Sequence, residues 1–198
     1  MPTISRRNLV LLMLGIDPDG EIAKGIGGIT RLQKLLYLLE REENLTPTEN
    51  GFDFSAYKAG PYSSKLYDDL EFLENLGFVE SEVTADATLG EAAEVELLDF
   101  EELLGDGAEN SNDEAVDGIA AADAFEERRF KITDEGTQRI QSLLESEEYK
   151  PLSEGIRRVK RKYGTYSLSD LLYYVYEKYP DMTVESEIKD QVFRGRNK

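Results

Sequence analysis

The densest concentration of side chains able to bind a charged ligand is the run Arg157-Arg158-Val159-Lys160-Arg161-Lys162. Guanidinium and ammonium groups at this density neutralise phosphates or carboxylates. The run is therefore a candidate contact for a nucleic-acid backbone or an acidic protein, with Tyr163 and Tyr166 beside it as stacking surfaces. A solvated helix face is the plainer alternative, because cations in a last turn favour the helix dipole and Glu154 stands four residues before Arg158. A second candidate is Ser63-Ser64-Lys65, just after Pro61, where hydroxyls and an amine suit either a simple helix cap or contacts to phosphates and base edges. Ser63, Ser64, Lys65, Arg157, Arg158, Lys160, Arg161 and Lys162 are thus the residues expected to bind nucleic acid or a partner.

Other chemistries lack their residues. The 198-residue chain has no His, Cys or Trp, which removes Ser-His-Asp and Cys nucleophiles, His- or Cys-ligated zinc and disulfides. Gly25-Ile26-Gly27-Gly28 resembles a phosphate-cradling loop only superficially, since no Gly-Lys-Ser/Thr ending follows; a helix entrance is the better reading. The carboxylates do not fall at calcium-loop spacing, and no pair is singled out for acid-base work by an apolar surround. No catalytic residue, metal or cofactor is expected, and the chain reads as non-enzymatic.

Charge is unevenly spread. Residues 1–79 carry −4 and residues 128–198 carry +3, whereas residues 80–127 hold 17 acids and no base, nearly the whole net charge of −18. Within this segment Val95, Leu97, Leu98, Phe100, Leu103 and Leu104 alternate with acids, while 105–124 has the composition of a disordered stretch. A tethered polyanion of this kind could fold back onto the Arg157–Lys162 run and mask it. The acid excess and the 11 lysines also resemble proteins of salt-loving archaea. The longest apolar run, Leu9–Leu14, is six residues and too short to cross a bilayer, so no membrane association and a cytoplasmic location are expected.

The elements that must position these groups follow from periodicity. Ser5 or Thr3 caps a helix carrying Leu9, Leu12 and Met13 and stopped by Gly15. Thr30 caps a second, to about Arg41, with the stripe Leu32, Leu35, Leu36 and Leu39. Phe52, Phe54 and Ala56 alternate as a short strand that Gly60-Pro61 breaks. A third helix, capped by Ser63 or Ser64, presents Leu66, Leu70, Leu73 and Leu76 and ends at Gly77. Phe78–Val83 and Phe130–Ile132 read as two sides of a hairpin around the acidic segment, followed by a Thr133-capped helix through Leu144. The basic run lies on a helix with Leu152, Ile156, Val159 and Tyr163 inward, and a tyrosine-rich helix around Ser169–Tyr176 stops at Pro180.

This order predicts an α+β, mainly α fold: a winged-helix-like core with a long acidic insertion in the wing hairpin and extra C-terminal helices. Residues 1–146 form the winged-helix-like domain, with 85–126 as its acidic, partly disordered wing insertion; 147–198 form a helical extension packed on it. Lys34-Leu35-Leu36-Tyr37-Leu38-Leu39, Tyr57-Lys58-Ala59-Gly60-Pro61-Tyr62-Ser63-Ser64-Lys65-Leu66 with Asp69-Leu70, and Tyr163–Pro180 carry a resemblance to the YwgA-like prokaryotic proteins. The sequence is more distantly similar to the Panacea antitoxin domain, a resemblance that implies toxin neutralisation through protein contacts. Two functions are expected from these readings. One is a regulator contacting DNA through the third-helix start and the basic helix; the other is a protein-binding antitoxin-like or adaptor module. The acidic positions Asp68, Asp69, Glu71 and Glu74 on the third helix oppose the first, since they repel phosphates. The tyrosines from Tyr163 to Tyr179 suit a packed core with hydroxyls at the surface, or a homodimer interface.

Overall fold

A computed structural model describes residues 4–23, 25–26, 28–47, 51–83 and 128–194. The acidic segment 85–126, including the amphipathic run and the self-masking expected of it, lies outside the described residues. Seven α-helices are present among the described residues with a small amount of antiparallel sheet, so the architecture is α+β and mainly α. The helices are α1 (Arg6–Gly15), α2 (Ile29–Glu43), α3 (Lys65–Asn75), α4 (Asp134–Glu145), α5 (Lys150–Tyr163), α6 (Leu168–Lys178) and α7 (Lys189–Arg194). The strands are β1 (Gly25–Ile26), β2 (Ser55–Tyr57), β3 (Gly60–Tyr62), β4 (Val79–Val83) and β5 (Arg128–Ile132).

The core is one cluster in which α1 is central: Leu9 through Leu14 are all inaccessible to solvent. A helix that is apolar all round must be covered on every side, and α2, α3, α4 and α5 all pack on α1. The stripe on α2 is buried as the periodicity requires, and so are Leu152, Ile156, Val159 and Tyr163 on α5. Gly155 brings α5 against Leu45 and Leu39, where any Cβ would collide with the Leu45 side chain.

Local signals set most of the ends. Gly77, at φ 70°, closes α3: its N–H donates to Glu74 O and that of Phe78 to Leu73 O, which satisfies the last carbonyls and aims the chain into β4. The Thr133 hydroxyl accepts from Gly136 N–H and starts α4. β4 and β5 pair antiparallel from Val79↔Ile132 to Val83↔Arg128.

Four expectations are corrected. Thr30 is inside the first turn of α2; Gly28, at φ 57°, takes the cap position, a conformation open to glycine. Gly25-Ile26 is a strand rather than a loose entrance, pairing with Lys131 and Phe130 so that the sheet order is β1-β5-β4. A Cβ on Gly25 would strike the Phe130 carbonyl, which is why glycine stands there. The Phe52–Ala56 strand shrinks to Ser55–Tyr57 because Asp53 adopts φ 51°, and Gly60-Pro61 does not break it but returns as β3. Leu76, placed with the buried leucines by periodicity, is 49% exposed at the end of α3.

Candidate functional site

The start of α3 is built by α2. Gln33 Oε1 accepts the Ser63 N–H at 2.7 Å, and the Lys34 ammonium donates to Pro61 O at 3.0 Å. The Ser63 hydroxyl donates to Phe52 O. Ser63 is therefore 2% exposed with donors and acceptor spent inside the fold, so its expected contact with an external ligand is corrected to a joint between α2, the 51–54 segment and α3. Ser64 occupies the cap position and is exposed, but its side chain makes no capping bond. Lys65 donates to Gly51 O at 3.1 Å and pairs with Asp53.

The outward face of α3 is acidic and partly apolar. Asp68, Glu71, Phe72, Asn75 and Leu76 are exposed, with Phe72 under the guanidinium of Arg7 at 3.5 Å. Asp69 faces inward instead: it has no solvent exposure and accepts from Arg6 Nε and Nη2, with Arg7 at 3.5 Å. Removing one partner of so buried a pair leaves an uncompensated charge, so this contact locks α3 to α1.

The basic run on α5 turns out to be tied down. Arg158 pairs with Glu43 at 2.7 Å and Lys162 with Glu42 at 2.9 Å, both at the C-terminal end of α2. Lys160 is 5% exposed and donates to Ile16 O, which corrects its expected place on the solvent side; burial lowers it to about 8, partly offset by Asp17. Arg161 donates to Pro18 O at 3.0 Å. Arg157 lies against Gly20, and its buried Nε has no acceptor among the described residues. Four of the five cations thus hold the Ile16–Gly20 turn and the end of α2 onto α5. Asp17 shapes that turn by accepting from the N–H groups of Asp19, Gly20 and Glu21.

Glu42 is the hub of a group that residue spacing did not reveal. Its carboxylate accepts from Lys162, Lys178 at 2.7 Å, and the hydroxyls of Tyr163 and Tyr174 at 2.5 and 2.8 Å. Burial alone would raise this carboxyl, but the bonds from Lys178, Tyr163, Lys162 and Tyr174 outweigh it and lower it to about 2. Burial, then the bonds to Glu42 and Tyr174, push the Tyr163 hydroxyl well above its ordinary range. The tyrosine-rich region is thereby used inside the chain. Tyr163 and Tyr176 are buried, and Tyr166 stands edge-on to Tyr163 at 5.7 Å.

The two expected halves of the site are attached to different ends of α2. Ser63 hangs from Gln33, whereas Arg158 and Lys162 hang from Glu43 and Glu42, nine residues further on and about 14 Å along the axis. No helix among the described residues is long and apolar enough to cross a membrane, and none of their acidic side chains gather into a group of three that could hold a metal ion. Compared with known proteins, the chain matches no protein-family model and no curated sequence.

Proposed function

We propose that the chain is a non-enzymatic, cytoplasmic regulatory protein of winged-helix type whose recognition helix contacts another protein, in the manner of an adaptor or antitoxin, rather than nucleic acid. Support for the winged-helix reading comes from the order α1-β1-α2-β2-β3-α3-β4-β5, with the β2–β3 hairpin set between α2 and α3, and from the antiparallel β1-β5-β4 arrangement, in which α3 leads directly into a two-stranded wing. The YwgA-like resemblance rests on residues that do joint work here: Lys34 on Pro61, Ser63 on Phe52, Asp69 on Arg6.

The observation that carries the protein-binding reading is the disposition of charge. Arg158, Lys160, Arg161 and Lys162 spend donors within the chain, while α3 offers Asp68 and Glu71 around Phe72, 36% exposed, and Leu76. Nucleic-acid affinity draws on cations free to displace counterions. An acidic face with an apolar centre instead fits a basic protein surface. The test is co-purification from the native host of a stoichiometric partner, compared with a Phe72→Ser, Leu76→Ser variant. The expected result is loss of the partner with the melting temperature nearly unchanged. Retardation of DNA by the unaltered chain at about 50 mM salt, fading steeply as salt rises, would overturn the reading.

A further inference from the structure

Three half-exposed tyrosine rings stand in a row on the surface between the β2–β3 hairpin and α3. The hairpin sets Tyr57 opposite Gly60 and Tyr62 opposite Ser55, which puts both rings on one face, with Pro61 buried on the other. Gly60 offers Tyr57 no side chain to pack on, and its ring rests instead on the diagonal neighbour Tyr62, at 4.7 Å. Tyr62 in turn stands 5.9 Å from Tyr67 in the first turn of α3. Glu71 lies one helical turn beyond Tyr67, and Asp68 and Phe72 form the next column, so rings and carboxylates are interleaved on one strip of surface.

The charge of this strip is negative. Lys58 pairs with Glu187 at 3.1 Å, and Lys65 is spent on Asp53 and Gly51 O. Asp68 and Glu71 are exposed and form no ion pair among the described residues. The other flank of α3 shows what such a combination holds. There the Arg7 guanidinium lies over the Phe72 ring at 3.5 Å while its Nε stands 3.5 Å from Asp69, so one arginine is gripped between a ring and a carboxylate of the same helix. Tyr67 with Asp68 and Glu71 repeats that combination of ring and acid, with both carboxylates on the solvent side. A guanidinium can lie flat on a ring and offer its fork to a carboxylate, whereas an ammonium is a point charge without the plane. In an extended segment alternate side chains recur at about 7 Å, so arginines two residues apart can reach Tyr67 and the Tyr57–Tyr62 pair together.

We propose that this strip binds an extended, arginine-bearing segment of a partner protein, with one guanidinium laid on Tyr67 beside Asp68 and Glu71 and a second on the Tyr57–Tyr62 pair. The proposal rests on the partner-binding reading of the outward face of α3, which the strip continues, and adds to it the chemistry of the segment recognised.

The test is a two-dimensional amide NMR titration of the full chain at about 150 mM salt, where diffuse attraction to the acidic chain is screened. The probe is the acetylated and amidated peptide Gly-Arg-Gly-Arg-Gly, compared with peptides carrying lysine or citrulline in place of both arginines. Lysine keeps the charge and citrulline keeps the plane. The expected result is saturable binding of the arginine peptide with a Kd of the order of millimolar, and the largest shifts at the amides of Tyr57, Tyr62, Tyr67, Asp68 and Glu71. The lysine and citrulline peptides should bind at least about threefold more weakly, and so should the arginine peptide to a Glu71→Gln or a Tyr67→Leu variant, the worth of one ring or ion contact at an exposed site. Glu71 is exposed, so its variant reports on the strip even should Tyr67→Leu fail to fold. Lysine binding as tightly as arginine, undiminished binding by Glu71→Gln, or shifts confined to residues 80–127, where the acids are densest, would overturn the proposal. An oligo-dT of about eight nucleotides moving the same amides more tightly than the peptide would also overturn it, in favour of base stacking on the rings. All of these readouts are taken without the host partner. Failure here, with co-purification still dependent on Phe72 and Leu76, therefore removes the arginine assignment and leaves the partner-binding reading standing.

Discussion

Lys34 tests how the joint between α2 and α3 is held. Its ammonium is fully enclosed, with Pro61 O at 3.0 Å as acceptor, and burial drags it from 10.5 to about 7. In the unfolded chain the amine regains its ordinary value. Between the two values the unfolded state therefore binds more protons than the folded one, and stability rises with pH through that window. The gap of about 3.5 units corresponds to roughly 5 kcal/mol across the whole window, at up to about 1.4 kcal/mol per pH unit. Lys34→Met keeps the stem and removes the ionisable head, leaving the Pro61 carbonyl without its donor at a cost of about 1–3 kcal/mol. Urea denaturation of both proteins at about pH 7.5, 8.5 and 9.5 should show their difference moving in favour of the unaltered chain by up to about 1.4 kcal/mol per unit. Lys160, which burial also lowers, titrates in the same region but is present in both proteins and cancels in the difference. Parallel stability curves for the two proteins would refute the reasoning.

The Glu42 hub and the α4 start give two more tests. Glu42→Gln should cost about 2–4 kcal/mol at neutral pH by chemical denaturation, because Lys162 and Lys178 lose their shared counter-charge. With a folded value of about 2 against 4.5 unfolded, the Glu42 contribution is complete above 4.5 and disappears as pH falls toward 2, so the variant should show a flatter acid limb. Gly136→Ala should lower the thermal midpoint strongly, by more than about 2 kcal/mol in stability, since a Cβ there would run into the Phe78 carbonyl. Gly77→Ala is the control: it has nothing within 4 Å and bears only the cost of its positive φ, about 1 kcal/mol.

What could be read from the sequence was what neighbours in sequence decide. The leucine stripe of α2, the Gly77 stop and the Thr133 cap each follow from contacts within a few residues or from a repeating apolar pattern, and the β4–β5 pairing, though distant in sequence, was legible because the two strands flank the acidic segment. The hairpin at Gly60-Pro61 was missed because its turn is Lys58-Ala59, which carries none of the usual glycine or asparagine signal, and because 186–187 hold it from far along the chain. The site failed for the same reason. A basic run looks free until Glu42 and Glu43, more than a hundred residues earlier, are brought beside it. Lys160 sits one position after buried Val159 yet is itself buried, since the Ile16 carbonyl is within reach to accept its amine. Glu42 itself gave no signal at all, as one acid among several at a helix end.

Val83 and Arg128 are partners on one rung of the β4–β5 ladder, although 44 residues separate them in sequence. Cα atoms paired in this way stand about 4.5–5.5 Å apart. The ladder itself asks of whatever joins them that its two ends meet, a condition a two-residue turn would also satisfy. That interval carries 15 acids and no base, so the rest of the chain has a net charge of just −3. Solubility, salt response and migration in an electric field are thus set largely by this one interval of the sequence. Most of the net charge thus enters the chain at a single junction of the sheet, between two partners on one rung.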